Sequence, residues 1–423
     1  MSGHTLALTD RLLRGEASVE EVNPVVIDGE LDEVAPGVAF VPSFGNIAAF
    51  TAGDELLLVD TGNGHVAAHN HAKVRRWTGL PLTTAVYTHG HIDHVLGLGP
   101  YEAEVAAGGG ARPVHVVAHE KVPARFDRYK ATAGYNGVIN ARQFKLPAFR
   151  WPTEYRYPDE TYADRHTLTV GGEVFELHHA EGETDDHTWV WVPGRKVLCT
   201  GDMFIWASPN CGNPQKVQRY PREWAVALRE MAGLGAELML PGHGWPIAGA
   251  DMVATVLTDA ADLLDSLVDQ TLSLMNEGAR LDDVIHAVVA PAHLVDKPYL
   301  RPVYDEPEFV VRNVWRLYGG WYDGNPARLK PAPEADLARE LADLAGGASV
   351  LAARAEALAD AGDLRLAGHL AELAAQAAPD DAGVHRARAA VFGRRAAEEL
   401  STMSKGVFSW AASESEAATA VGS

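Results

Sequence analysis

The segment Thr88-His89-Gly90-His91-Ile92-Asp93-His94 constrains this chain more than any other. An extended run, Thr84 to Thr88, leads into it. Two histidines at i and i+2 on extended backbone project to the same side, and the Asp and His that follow can turn towards a second ion beside the first. The spacing therefore suits two adjacent metal ions, and a set of unrelated surface or core histidines is the weaker account of it.

Composition narrows what can surround such a cluster. The chain has 423 residues, 47% of them hydrophobic and 22% charged, which is enough to bury a sizeable core and fits a soft expectation of two to three domains. There is no run of 18 apolar residues, so no membrane-spanning segment is expected. The net charge of −21 repels a phosphate backbone and makes nucleic acid a poor partner, so a nuclease is the weakest reading. Cys199 and Cys211 are too few for a disulfide framework. Asp10, Arg11, Arg14 and Glu16 interrupt the first twenty residues before any signal-like apolar stretch forms, so a soluble, cytoplasmic protein is expected.

From residue 37 to about 245, short β-rich runs alternate with turns and amphipathic stretches, the pattern of a layered α/β domain. Strands are expected at Gly37 to Val41, Ile47 to Thr51, Glu55 to Val59, Thr167 to Leu177, Thr188 to Val192 and Lys196 to Thr200. Helices are expected at His65 to Trp77 and from Pro221. Between 107 and 165 the period is lost and aromatics accumulate, which predicts an insertion over one end of the sheet. Beyond Ala250 the pattern is helical. Leu351 to Ala359 and Leu366 to Ala377, joined at Gly362-Asp363, read as one tetratricopeptide-like hairpin whose apolar face must dock elsewhere. The segment 411–423 is small and polar and is expected to be disordered.

The order of Leu58-Val59-Asp60-Thr61-Gly62, the histidine cluster, Gly182-Glu183, Gly201-Asp202 and Gly242-His243 resembles the metallo-β-lactamase superfamily. The resemblance implies an αββα sandwich carrying two zinc ions, with iron or manganese as alternatives. By position, His89, His91 and Glu183 would hold the first ion, Asp93, His94 and His243 the second, and Asp202 would bridge. The Gly-Glu step matches the usual Gly-His step in register and favours Glu183, with His187 as the alternative. Asp60 and Thr61 are expected to support the metal loop, with a helix cap as the other reading of Asp60. His178 and His179 are expected at a strand end, and Asp185 or Asp186 in a turn or behind the ligands. A carboxylate at 183 leaves the resting site with roughly no net charge, where a histidine would leave about one positive charge. Such a site should need separate cations to hold an anion.

Glu183 is similar to a feature of the alkylsulfatase branch. Arg312 to Pro326 resembles the signature of that branch's helical dimerisation domain, and Gly134 to Asn140 its aromatic insertion. The branch usually bridges with Glu where this chain has Asp202. The expected division is a catalytic domain over 1–285, a helical dimerisation domain over 286–410 and the tail, with homodimerisation packing Trp315, Tyr318, Trp321 and Tyr322.

The expected reaction is hydrolysis of a sulfate ester of an organic alcohol, a small-molecule substrate, by a water that the two ions activate. Asp93 serves the reacting centre, Arg219 is the favoured anion clamp, and Tyr135, Asn136, Asn210 and His187 are candidates for polar contact or leaving-group protonation. The alternatives are hydrolysis of an uncharged ester, lactone or thioester, an iron-based redox reaction in the same ligands, and a binding scaffold without catalysis.

Overall fold

The computed structural model describes residues 3–25, 28–108 and 112–421. The chain divides into two compact units, Met1–Ala133 with Pro152–Gly320, and Gly134–Trp151 with Trp321–Ser423.

Two sheets build the first unit. One runs β1 (Asp32–Ala35), β2 (Val38–Val41), β3 (Ile47–Ala52), β4 (Glu55–Val59), β5 (Leu82–Val86), β6 (His115–His119) and β7 (Glu160–Tyr162), in that spatial order. The second contains β8 (Arg165–Val170), β9 (Glu173–His179), β10 (Thr188–Val192), β11 (Val197–Gly201), β12 (Leu238–Pro241) and β13 (Ile247–Ala248), also adjacent in chain order. The strands from β4 to β7 are parallel to one another, as are β11 and β12.

The layering follows from strands that are apolar on both faces. Phe40, Phe50, Leu57 and Val86 of the first sheet meet Phe175, Leu177, Val190 and Leu240 of the second in one buried cluster. On the reverse face, Ala39, Leu56, Leu58 and Val116 pack with Val74, Tyr101 and Phe126 from helices. Helix Ala250–Asn276 packs along β12 and β13 and against helix Pro221–Ala232. The expected αββα sandwich is what the chain forms.

Several elements differ from the sequence expectation. Thr167 to Leu177 is two strands, because Gly171 and Gly172 turn at φ +54° and +86°; a Cβ on Gly171 would lie 1.8 Å from the Ala52 carbonyl oxygen. The aromatic stretch is no simple insertion, since it contributes β6 and β7. Phe126 stacks on Tyr155, 4.5 Å between centroids, inside the core.

Only residues 134–151 of the aromatic stretch join the second unit, where Gly406 lets its helix approach Gln143 so closely that a Cβ would fall 2.1 Å from the Gln143 carbonyl oxygen. The units part at Gly320 and Trp321, later than the expected 285/286, because helices Leu281–Ala287 and Pro307–Gly319 pack with each other, and the latter also on Ala250–Asn276. Helix Thr402–Val421 runs through most of the expected disordered tail, packed on helix Ala382–Glu398; the last two residues of that tail lie outside the described residues.

The tetratricopeptide-like hairpin, helices Ala348–Asp360 and Leu364–Ala377, finds its partners within its own unit. Ala342, Val384, Ala387 and Val391 from flanking helices cover its buried alanines and leucines.

Phe50 and Phe175 meet edge-to-face across the sandwich at 5.3 Å. Phe175→Ala should lower the unfolding free energy of the first unit by about 3–5 kcal/mol, read as a shifted urea midpoint.

Candidate metal centre

The loops after β4, β5, β11 and β12 and the turn between β9 and β10 bring the candidate ligands together. At the end of β4, Asp60 adopts φ +58°, a strained conformation for a residue with a side chain, and one that persists where surroundings over-determine it. Its carboxylate accepts the Thr88 N–H and hydroxyl at 2.7 Å each and the His94 Nδ1–H at 2.7 Å. Thr88 Oγ1 in turn takes the His89 Nδ1–H at 3.0 Å. Both histidines are thereby left with Nε2 facing inward. Thr61 closes the loop, its N–H reaching the His94 carbonyl at 2.7 Å. A cross-sheet bond from Thr188 N–H to Thr88 C=O, 2.6 Å, ties the two sheets at this edge.

The inward atoms form two groups: His89, His91, Glu183 and Asp202, and Asp93, His94 and His243. Glu183 Oε2 lies 3.5 Å from His89 Nε2 and 3.3 Å from His91 Nδ1. Asp202 reaches both groups, with Oδ2 3.8 Å from His89 Nε2 and 3.3 Å from His243 Nε2, and Oδ1 3.3 Å from His94 Nε2. Asp93 Oδ2 stands 3.6 Å from His94 Nε2 and 3.4 Å from His243 Nε2.

These separations exceed a good hydrogen bond, but an ion bonded at about 2.0–2.1 Å to tetrahedrally placed N and O atoms holds its ligands about 3.3 Å apart. His94 Nε2, Glu183 Oε2 and Asp202 Oδ1 are buried without hydrogen-bond partners among the described residues, and cations would satisfy all three. The donor set therefore fits divalent metal.

Protons compete for the same atoms. Burial opposes charge on His94, yet Asp202, Asp60 and Asp93 hold its pKa well above the usual imidazole value. Burial and the neighbouring His94 and His91 push His89 the other way.

Residues 41–243 match the metallo-beta-lactamase superfamily and residues 280–418 the alkyl sulfatase dimerisation family. The chain joins a metallo-beta-lactamase superfamily domain to an alkylsulfatase-type dimerisation domain. It is 28% identical over 340 residues to a linear primary-alkylsulfatase of Pseudomonas sp. (strain ATCC 19151), covering 75% of this chain and 62% of the relative. It is 30% identical over 314 residues to an (R)-specific secondary-alkylsulfatase of Pseudomonas sp., covering 69% of this chain and 47% of the relative. The chain thus spans less than two thirds of either relative. The fold matches a solved stereoselective inverting sec-alkylsulfatase, Pisa1, from Pseudomonas sp., with TM-score 0.81, 24% identity and coverage of 91% of this chain and 65% of that one.

Within the superfamily domain, Glu183 is held from behind. Its Oε1 accepts from Asn210 Nδ2 and lies 3.4 Å from Arg219 Nη1, which also donates to the Glu183 carbonyl oxygen. Arg219, expected as an anion clamp with an exposed arginine as the other reading, is only 2% exposed and stands beside Glu183 as its counter-ion. Asn210 likewise serves Glu183.

His187, the alternative ligand and a candidate acid, lies outside both groups of inward atoms and turns its Nε2 to the Asp202 N–H, which it accepts at 3.0 Å; burial lowers its pKa to about 4. His178 and His179 do end β9, stacked on Trp189 and His119. Tyr135 and Asn136 belong to the second unit, Tyr135 exposed and Asn136 buried.

Two features escaped sequence reasoning. Arg125, buried on helix Val122–Ala131, grips Asp186 at 2.6 Å, and Asp186 accepts the Gly90 N–H at 3.1 Å, bracing the loop between His89 and His91. Lys216 is half-buried in the loop after Asp202, near enough to Glu183 and Asp93 to feel their charge, while burial and then Arg219 lower its pKa to about 8. Nothing local marks either one: Arg125 reads as an ordinary charged residue of a helix, and Lys216 as one of a loop.

Asp60→Ala should weaken binding of the ion beside His94 by about 10- to 100-fold, measured by competition with a chromophoric chelator.

Proposed function

We propose that the protein is a dinuclear zinc hydrolase of sulfate esters of organic alcohols, with iron or manganese as alternative metals. In this reading His89, His91 and Glu183 hold one ion, Asp93, His94 and His243 the other, and Asp202 lies between them. Bound there, two divalent ions would supply an activated water and stabilise charge on the departing oxygen. The observation that carries the reading is the Glu183 assembly: a buried carboxylate among imidazoles, backed by Arg219 and Asn210, in a chain whose residues 280–418 match the alkyl sulfatase dimerisation family.

Arg219 returns the positive charge that Glu183 removes, so the site is less neutral towards an anion than its ligands alone imply. Lys216 is the cation we assign to the sulfate group. The proposal includes a homodimer, supported by the dimerisation match and by Tyr318, Trp321 and Tyr322, which are 48%, 69% and 40% exposed. It also includes a cytoplasmic location, which suits the buried, unpaired Cys199 and Cys211. Among the described residues no helix is long and apolar enough to cross a membrane.

A second reading is hydrolysis of an uncharged ester, lactone or thioester. It is favoured by the pairing of Arg219 Nη1 with Glu183, which commits part of that guanidinium's charge and donors to a ligand instead of to an anion.

Purified, metal-quantified protein in ¹⁸O-water, offered alkyl sulfates and uncharged esters, separates the two. Inorganic sulfate should appear, and the label's destination identifies the bond cleaved; turnover of esters without sulfates installs the second reading. Glu183→Gln should reduce bound metal towards one ion per chain, and retention of both ions would remove Glu183 from the ligand set.

Lys216→Ala should raise KM for a sulfate ester about tenfold or more, as loss of a charged hydrogen bond of about 1.5–3 kcal/mol implies. Because the ammonium deprotonates as pH rises through about 8, KM for the anion should climb above that pH. Lys216→Arg, which stays charged, should flatten the climb.

A further inference from the structure

The loop from Asn210 to Arg219 carries both groups that hold Glu183 Oε1, and it is anchored at each end by one helix and the residues that lead into it. Asp305, fully buried, accepts the Gly212 N–H at 2.6 Å through Oδ2 and the Glu306 N–H at 2.7 Å through Oδ1. Gly212 sits so close to helix Pro307–Gly319 that a Cβ would fall 2.2 Å from Phe309 C and Val310 N. At the other end, Asn313 Oδ1 accepts the Arg219 N–H at 3.3 Å and Gln218 Nε2 at 2.8 Å, while its Nδ2 donates to the Arg219 carbonyl at 3.1 Å. Arg316 Nε then holds Gln218 Oε1 at 2.9 Å.

Asn210 stands two residues before one anchor and Arg219 is the other. Both are turned onto Glu183 Oε1, which leaves Oε2 to face His89 and His91. A carboxylate whose outer oxygen is pinned presents its inner oxygen in one place; an unpinned one rotates, and the ion it serves is held less tightly.

We propose that Asp305 and Asn313 are positioning residues for the ion held by His89, His91 and Glu183, setting its affinity through the Asn210–Arg219 loop without touching it. The inference rests on the ligand assignment made under the proposed function. The helix that carries Asn313 belongs by sequence to the dimerisation family, residues 280–418, and by packing to the unit that holds the metal ligands.

The test is titration of metal-free full-length protein with Zn²⁺ against a chromophoric chelator, with Glu183→Gln marking which binding step belongs to Glu183. In Asn313→Ala and in Asp305→Asn, that step should weaken about tenfold, while the other step stays within about twofold of the parent. Asn313→Asp, which keeps the acceptor towards Arg219 N–H, should fall between parent and alanine. Thermal melts of the metal-free proteins identify any variant that has lost its fold, and the graded aspartate variant keeps the comparison decisive in that event. Two unchanged steps in folded variants, or equal weakening of both, would overturn the proposal. A parent that binds no divalent ion refutes the metal centre itself. A parent that binds two ions yet releases no sulfate refutes the sulfatase reading and leaves the positioning result standing.

Discussion

Three carboxylates and four imidazoles converge in a space almost closed to water, and carboxylates so placed repel one another unless cations stand between them. Protons can partly fill that role, as the raised pKa of His94 and His243 shows. Metal ions fill it better, and the two compete for the same lone pairs. Much of the first unit meets this demand. The parallel strands β4, β5, β11 and β12 end at one edge, the Thr188–Thr88 bond ties the sheets there, and Asp60 accepts a strained backbone to aim His94 and, through Thr88, His89.

What could be read from the sequence was what depends on neighbours along the chain. The short apolar runs of β2, β3 and β4 are set off by their turns, the helix from Pro221 follows from its periodicity, and the histidine cluster from its own spacing. Glu183, Asp202 and His243 each sit beside a glycine in short motifs, so position alone nominated them. What escaped was set by partners far away in sequence. Arg219 looked like an anion clamp because nothing local shows that it will be buried against a carboxylate 36 residues earlier. His187 looked available because the Asp202 N–H that occupies its Nε2 is supplied by another strand's end. Gly171-Gly172 broke one expected strand into two, and a small, polar C-terminal stretch became helix because helix Ala382–Glu398 offers it a surface.

The pairing of Glu183 with Arg219 changes the electrostatics expected from the ligands alone. A carboxylate in place of histidine removes one positive charge from the ligand shell, and the guanidinium restores it one residue further out. Arg219 then serves order and charge balance within the wall, and in the proposed reading Lys216 supplies the charge that an anion meets.

That arrangement limits how the site can drift over evolutionary time. A change of Glu183 to histidine by itself would strand the Arg219 guanidinium in a dry wall with no acid to answer it, and loss of Arg219 by itself would leave the Glu183 carboxylate uncompensated beside Asp202. A single replacement at either position is therefore costlier than a paired one. Altering this corner of the wall without loss calls for a double replacement, in which acid and guanidinium leave together.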